Sequence, residues 1–292
     1  MKTASVVTLR SDPPALAAPA AVAVPLARAR GRLDLGFKRR GALTVLDTLF
    51  QEGCAKARFP RQEAGALAGA VLLNTAGGLT GGDRLIQSVR WGDGTAATVA
   101  GQAAERIYRS LGDAAVIGTR LVVEAGATAE WLPQETILFD RARLDRDLQI
   151  DLHGDAEFLG VEAIVFGRTA MGETVRQGVL RDAWRIRRDG RLLYADALAV
   201  DGDPAAALDR PGLGRGARAV ATLLFVAPAA AALSDPLRAA LAGAQGLAGA
   251  SAWNGLLVAR FAAPDGAVLR RDLISALGVL RAGRPLPRVW QC

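Results

Sequence analysis

The sequence predicts a mainly β, layered and solenoid-like fold with about two α-helices near the C-terminus. Three observations favour this fold. Strand patterns follow one another from residue 33 onward, and residues 184–187 place an apolar residue at every second position. An Asp-Gly pair at residues 189–190 lies between two such patterns and is a strong hairpin signal. One twelve-residue segment recurs within the chain, which is typical of stacked structural units.

Two hairpins are predicted along the chain. Residues 33–37 and 43–50 are strand-like and flank a basic turn that contains Gly41. Residues 184–187 alternate apolar and cationic side chains, and the strand-like residues 192–194 follow the Asp-Gly pair. Alternation places the two arginines of 184–187 on one face of the strand. That face is either a solvated sheet surface or a site for an acidic partner.

The internal repeat favours stacked layers over a closed barrel. Residues 129–140 align without gaps on residues 156–167, with six of the twelve positions identical and an offset of 27. Glu135 thereby aligns with Glu162. Two copies are fewer than the three or more units that solenoids usually contain, so the repeat alone does not establish the fold.

Helices are few in this sequence. Residues 64–73 are a candidate for a short helix. Residues 235–241 begin after a serine and carry a proline in the first turn, which suits a helix start. Residues 269–280 place leucines along one stripe and end shortly before Gly283. The last two segments are the predicted C-terminal pair.

A glycine-rich segment at residues 74–83 has four glycines within six positions. Glycine tolerates positive φ and close backbone approach, so this density predicts a demanding turn. A phosphate-binding loop would carry Lys and then Ser or Thr after its last glycine, whereas Asp83 and Arg84 follow here. We therefore favour a tight turn between strands over a ligand-binding loop.

Composition narrows the class of protein. The net charge is +7, but the cations are nearly all arginines spread along the chain without an aromatic platform, which favours acidic protein surfaces over nucleic acid as partners. No unbroken apolar run reaches about 18 residues, so no membrane span is predicted. Cys54 and Cys292 offer neither a disulfide framework nor zinc spacing, which indicates a cytoplasmic protein. The single histidine, His153, argues against most triads and histidine–metal sites.

Four segments carry a resemblance to a known family, and they follow one another in the order that the family shows: residues 74–83, 102–109, 131–140 and 167–173. Together they resemble the urease accessory proteins of the UreD family, also called UreH. The resemblance covers roughly residues 31–292, which we predict as a single domain. Residues 1–30 are predicted as a disordered Ala/Pro-rich extension.

The resemblance has implications for fold and function. The fold would be a mostly antiparallel, helix-like stack of strands with two helices. The protein would act with UreF and the GTPase UreG to deliver nickel into apo-urease, and a water-filled passage would lead the metal. It would hold no tightly bound cofactor and only transient Ni²⁺. A conduit suits carboxylates, hydroxyls and water, because imidazoles and thiolates hold late first-row metals tightly.

Acidic residues of the matched segments are the predicted lining of the passage: Asp83, Glu135, Asp140 and Glu173, with Glu162 as the repeat partner of Glu135. Thr80 and Thr136 could add neutral oxygens. Each acid has a structural alternative. Asp83 could cap the turn, and Asp140 could pair with a neighbouring arginine. Glu130 and Glu157 are interpreted as solvated strand positions.

Four residues are predicted to bind partners: Arg106, Tyr108, Arg109 and Trp290. Tyr and Arg are enriched at interface hot spots. Alternatively, Tyr108 packs in the core with its hydroxyl satisfied, and Trp290 docks on its own domain.

The function predicted from these observations is that of a non-enzymatic urease maturation factor that binds UreF and apo-urease and helps to pass Ni²⁺. One alternative is a carboxylate-dependent β-solenoid enzyme acting on glycans. Aromatic residues make up only 5% of the chain, which argues against a sugar-stacking groove. The other alternative is a protein scaffold without a metal passage.

Overall fold

Two β-sheets lie face to face in the computed structural model, which describes residues 27–291. Sheet A contains seven strands: β1 (Arg30–Arg40), β2 (Leu43–Gly53), β5 (Arg84–Trp91), β8 (Ala115–Val123), β11 (Ala142–Leu152), β13 (Gly178–Arg188) and β14 (Arg191–Gly202). Sheet B contains ten: β3 (Ala55–Arg58), β4 (Ala68–Asn74), β6 (Ala96–Gly101), β7 (Glu105–Ile107), β9 (Thr128–Leu132), β10 (Thr136–Leu138), β12 (Glu157–Phe166), β15 (Ala219–Val226), β16 (Leu247–Trp253) and β17 (Leu256–Ala263). The helices are α1 (Pro204–Asp209), α2 (Ser234–Leu241) and α3 (Gly266–Leu280).

The prediction of a mainly β, solenoid-like fold is confirmed. The chain alternates between the sheets, so β5, β8 and β11 are successive neighbours in sheet A, while β6, β9 and β12 are successive neighbours in sheet B. Arg84 pairs with Val116 and Ala115 with Leu144, so each coil takes about 30 residues, within the usual range of solenoid repeats.

The strand direction differs in part from the antiparallel stack that the family resemblance implies. Antiparallel pairs occur toward the ends of the sheets, as in β1 with β2 and β13 with β14, whereas the central neighbours are parallel. The reason is geometric. Each coil crosses a given sheet in the same direction as the coil before it, so strands from successive coils run parallel.

Both predicted hairpins are present. The β1–β2 turn contains Gly41 at a φ of 61°. The β13–β14 turn has Asp189 at a φ of 50° and Gly190 at 78°, and two successive positive φ values are what a two-residue hairpin turn requires. Arg185 lies on the solvent side of β13, where it pairs with Asp147 on the neighbouring strand at 2.6 Å.

The internal repeat corresponds to stacked coils, but its register differs from the sequence alignment. Ala129 pairs with Phe158, and Trp131 pairs with Gly160, so this stretch is shifted by two residues. The shift places each bulky ring beside a small residue, whereas the predicted alignment would stack Trp131 directly on Phe158. Near Glu135 the shift is one residue, since Thr136 pairs with Ile164 rather than with Ala163, so the sequence alignment of the repeat does not give the strand register.

The two predicted C-terminal helices are confirmed as α2 and α3, and the short α1 was not predicted. The helix predicted at residues 64–73 is wrong, because residues 68–74 form β4, which pairs with β3 and β6. Pairing within the stack overrides the helix propensity of an Ala- and Leu-rich segment.

None of the helices in residues 27–291 is long and apolar enough to cross a membrane.

Two apolar cores result from this layering. The larger one lies between the sheets and includes Trp91, Leu121, Leu144 and Phe158. The smaller one lies between sheet B and the layer formed by α2 and α3. Sheet B is thus covered on both faces. Most of the predicted N-terminal extension, residues 1–26, lies outside the described residues, as does Cys292.

Candidate functional site

Two cavities lie between the sheets in the described part of the chain, the first lined by polar and apolar groups alike and the second mainly by apolar residues with a few charged side chains. The first has a volume of about 230 Å³ and is lined by residues from β4 through β12. The second has a volume of about 490 Å³ and is lined by residues from β12 through β17. Among the described residues, Glu162 is the one that borders both cavities. The cavities therefore meet at this side chain.

Glu105 on β7 is the carboxylate near the outer end of the first cavity. Its Oε1 accepts a hydrogen bond from Asn74 Nδ2 at 2.9 Å, and Asn74 ends the strand that leads into the glycine-rich turn. Burial raises the pKa of Glu105 to about 7, because the charged form loses hydration. This carboxylate consequently changes charge near neutral pH.

The raised pKa of Glu105 predicts a fall in stability as the pH rises. Between its ordinary pKa of 4.5 and about 7, the folded protein keeps a proton that the unfolded chain has lost. The stabilisation is complete below pH 4.5 and is lost through about pH 7, for a total of about 3 kcal/mol. Urea unfolding at pH 5 and pH 8 measures this difference.

Glu105→Gln is expected to remove this part of the pH dependence, whereas Glu52→Gln on the exposed strand β2 is expected to leave it unchanged. An equal pH slope in the wild-type protein and Glu105→Gln would contradict the prediction.

A buried ion cluster stands where the two cavities meet. It consists of Arg146, Glu162 and Asp182, and we call it the central ion cluster. Arg146 Nε and Nη2 donate to the two oxygens of Asp182 at 2.8 and 2.7 Å. Its Nη1 donates to Glu162 Oε2 at 2.5 Å and to Thr136 Oγ1 at 3.0 Å. Since Arg146 and Asp182 belong to sheet A and Glu162 to sheet B, the cluster joins the two sheets.

Glu162 is held from both sides. Its second oxygen, Oε1, accepts from Trp131 Nε1 at 2.9 Å, while Oε2 faces Arg146. Burial raises the pKa of Glu162, and the positive charge of Arg146 opposes that rise. A carboxylate in this position is only 8% exposed and needs a cation beside it to stay charged.

Glu162 and Thr136 are the predicted lining residues that the structure brings to the cavities. Glu135 lines neither cavity and lies 3.6 Å from Arg270 across an ion pair. Among residues 27–291, no group of three or more His, Cys, Asp and Glu side chains is placed to hold a metal ion.

Asp83 and Thr80 serve the glycine-rich turn. Asp83 Oδ1 accepts from the backbone N–H of Ala29 at 2.8 Å, and its Oδ2 accepts from the N–H of Thr80 at 2.7 Å. The Thr80 hydroxyl donates to the carbonyl of Arg109 at 2.8 Å. The turn interpretation of this segment is thus the one that the geometry supports, since both side chains are occupied by backbone groups.

Asp140 and Glu173 hold a neighbouring loop together. Asp140 Oδ1 accepts from the backbone N–H groups of Arg176 and Gln177 at 2.8 and 3.0 Å. Glu173 accepts from Arg168 Nε at 2.7 Å and from the N–H of Asp140 at 3.2 Å. Both acids lie outside the two cavities and act as loop anchors in this arrangement.

Three of the predicted partner-binding residues lie on the surface. Arg106 is exposed and borders the first cavity, and Arg109 is exposed nearby. The Tyr108 hydroxyl donates to the carbonyl of Gly77 at 3.0 Å, and its ring meets Phe139 edge to face at 4.9 Å. Trp290 is only 3% exposed and donates to the carbonyl of Leu132, so it docks on its own domain.

Three functional candidates escaped the sequence analysis: Glu105, Arg146 and Asp182. Glu105 lies within one of the family-like segments but was not singled out. Arg146 and Asp182 lie outside those segments. Their signal is the two-residue period of β11 and β13, in which both occupy inward positions between buried leucines and tryptophan.

A second buried ion pair was also missed. Glu130 was interpreted as a solvated strand position, but it is fully buried on the outer face of sheet B. Arg281, just after α3, donates from Nε and Nη2 to its two oxygens, each at 3.0 Å. Arg284 Nη2 and the Thr98 hydroxyl also donate to Glu130, at 3.0 and 2.5 Å. The pair fastens the end of the helical layer to the sheet.

Comparisons with known proteins identify the same family that the four sequence segments resemble. The family described as UreD urease accessory protein matches residues 29–291. A urease accessory protein UreD of Rhizobium etli is 50% identical over 263 residues, covering 90% of this chain and 95% of the relative. A UreD of Xanthobacter autotrophicus is 49% identical over 290 residues, covering 99% of each chain. A UreD 3 of a Bradyrhizobium species is 44% identical over 282 residues, covering 97% of this chain and 99% of the relative. The chain therefore belongs to the UreD family of urease accessory proteins.

Proposed function

We propose that this protein acts in urease maturation as a conduit for Ni²⁺, which passes through the two cavities toward apo-urease, and that it does not act as an enzyme. Membership of the UreD family supports the role in urease maturation. The observation that supports the conduit is the pair of cavities that meet at the charged side chain of Glu162 inside an otherwise apolar core.

The chemistry of the lining suits a transient ion. Residues with carboxylate and hydroxyl side chains, Glu105, Thr136 and Glu162, line the first cavity. Oxygen donors hold Ni²⁺ less tightly than imidazole or thiolate, so an ion can be accepted and released again. Carboxylates spaced along a hydrated route also avoid the high cost of moving an unpaired cation through an apolar interior.

The outer end of the first cavity offers a docking surface for the partner that supplies the metal, which we propose to be UreF, with UreG bound through it. Arg106 borders the cavity and is exposed, and Tyr108 lies beside it. Arg168 lies 4.5 Å over the ring of Phe139, which itself contacts Tyr108. Exposed aromatic and arginine side chains are the types that anchor protein partners. This assembly would form in the cytoplasm.

The test removes charge from the lining without changing its shape. The double variant Glu105→Gln/Glu162→Gln is co-expressed with apo-urease and the other accessory proteins. Complex formation is measured by pull-down, the nickel content of urease by elemental analysis, and urease activity directly. We expect intact complexes and about a tenfold loss of nickel transfer, because the ion loses two carboxylates that can pair with it on its route.

The matched control is Glu135→Gln/Glu157→Gln, which removes two carboxylates that line neither cavity. It is expected to transfer nickel normally. Normal transfer by the cavity variant as well would contradict the conduit and favour a scaffold without a metal passage.

A further inference from the structure

We propose that the guanidinium of Arg146, a positive charge fixed to the protein (a tethered cation), blocks the passage between the two cavities. A divalent ion opens this passage by replacing Arg146 as the ion-pair partner of Glu162. This inference rests on the proposed conduit function. At rest the guanidinium bridges Asp182 and Glu162 at the place where the cavities meet, so it occupies the position that a passing cation needs.

The contacts of Arg146 are unequal, and this inequality makes a switch possible. Asp182 receives two parallel hydrogen bonds from Nε and Nη2, which is the strong fork-shaped arrangement of an arginine–carboxylate pair. Glu162 receives a single bond from Nη1. Asp182 also lies on β13, directly beside β11, with the two residues in register. Arg146 can therefore release Glu162 while it stays charged and paired on its own sheet.

Release of Arg146 leaves oxygen donors for the incoming ion. Glu162 Oε2 loses its partner, whereas Oε1 stays on Trp131 and keeps the carboxylate in place. The Thr136 hydroxyl loses the same Nη1 donor and presents its oxygen to the same space. The ion thus replaces one positive charge by another beside Glu162, and the carboxylate is never left buried and unpaired.

The same argument explains why the meeting point is closed without an ion. Arg146 is 4% exposed and Glu162 is 8% exposed. Separating two such groups with no replacement charge leaves an uncompensated buried carboxylate, which is strongly unfavourable. Opening is therefore coupled to the arrival of a cation.

The test uses the isolated full-length protein and NiSO₄ alone, with binding measured by calorimetry and equilibrium dialysis. Arg146→Gln removes the tethered charge and leaves the two carboxylates facing each other. We expect it to bind one Ni²⁺ per chain at least about tenfold more tightly than the wild-type protein. Arg146→Lys keeps a tethered charge and is expected to resemble the wild-type protein. Unchanged nickel binding by Arg146→Gln would overturn the proposal, because a purely structural cross-link would alter stability without creating a metal site.

A second pair of variants keeps the proposal testable if Arg146→Gln does not fold. Arg146→Gln/Asp182→Asn replaces the fork-shaped ion pair by two neutral amides and leaves Glu162 as the carboxylate of the cluster that an added cation can pair with. The proposal is supported if this double variant gains nickel binding and loses it again when Glu162→Gln is added. It is overturned if the double variant gains no nickel binding. These measurements involve no urease, so they test the role of Arg146 independently of the transfer assay. Unchanged nickel binding overturns the role of Arg146 alone. Normal nickel transfer by Glu105→Gln/Glu162→Gln overturns the conduit.

Discussion

A Thr119→Phe variant is expected to assemble with its partners and yet lose more than about tenfold of its urease activation. Thr119 lies on the inward face of β8 and is 7% exposed, and its hydroxyl lies 3.4 Å from Gln87 on β5. Both side chains line the first cavity, whose volume is about 230 Å³. A phenyl ring at this position fills much of that volume with apolar atoms. A hydrated ion then has neither the room nor the oxygen partners to pass.

Thr119→Val is the matched control, because it removes the hydroxyl and keeps the size. It is expected to activate urease within about threefold of the wild-type level. Urease activity, nickel content and pull-down are measured for both variants. Thermal unfolding is measured as well, since an enlarged core residue costs typically about 1–3 kcal/mol of stability. Equal activation by the two variants would show that the first cavity is not the route.

Replacement of Glu130 by Ala is expected to lower the free energy of unfolding by about 3–5 kcal/mol. Glu130 and Arg281 are 0% and 1% exposed, and the carboxylate is the counter-charge of Arg281. Without it, the Arg281 guanidinium stays buried and keeps, among residues 27–291, only the carbonyls of Arg284 and Pro285 as partners. The end of the helical layer then loses its ionic attachment to sheet B.

Urea unfolding measures this effect, and two comparisons establish its cause. Glu157→Ala, at a partly exposed position of β12, is expected to cost less than about 1 kcal/mol. Glu130→Met/Arg281→Met removes both charges and is expected to recover most of the loss, because the fully buried Arg281 charge goes together with its counter-charge, while the Arg284 side chain is 35% exposed and can be hydrated. A single variant as stable as the wild-type protein would contradict the assigned role of the pair.

Much of the fold could be predicted from local patterns. The hairpin at Asp189 and Gly190 needed only the turn chemistry, and α3 needed only its leucine stripe and its end signals. Strand direction and register could not be predicted in this way. They depend on which rings and small residues meet across coils, as Phe158 meets Ala129, and these contacts join residues far apart in the chain.

The candidate site was predicted less completely. The family-like segments predict acids that line a passage, but Asp83 and Asp140 accept hydrogen bonds from backbone N–H groups, which is the common use of Asp beside a turn. Glu162 was found through the repeat, although the alignment that pointed to it was in the wrong register. Arg146 and Asp182 could have been found by following the inward positions of two alternating strands.

The coil-by-coil stacking has a consequence for distance. The first cavity borders strands of the parallel coils and the second borders strands that follow them in the chain, so the proposed route would follow the growth direction of the stack. Neighbouring strands are about 4.8 Å apart, and each added coil would separate the two ends by that increment. In such an architecture, the distance between a protein that supplies the metal and one that receives it would be set by the number of coils. That number can change without any change to the surfaces at either end of the stack.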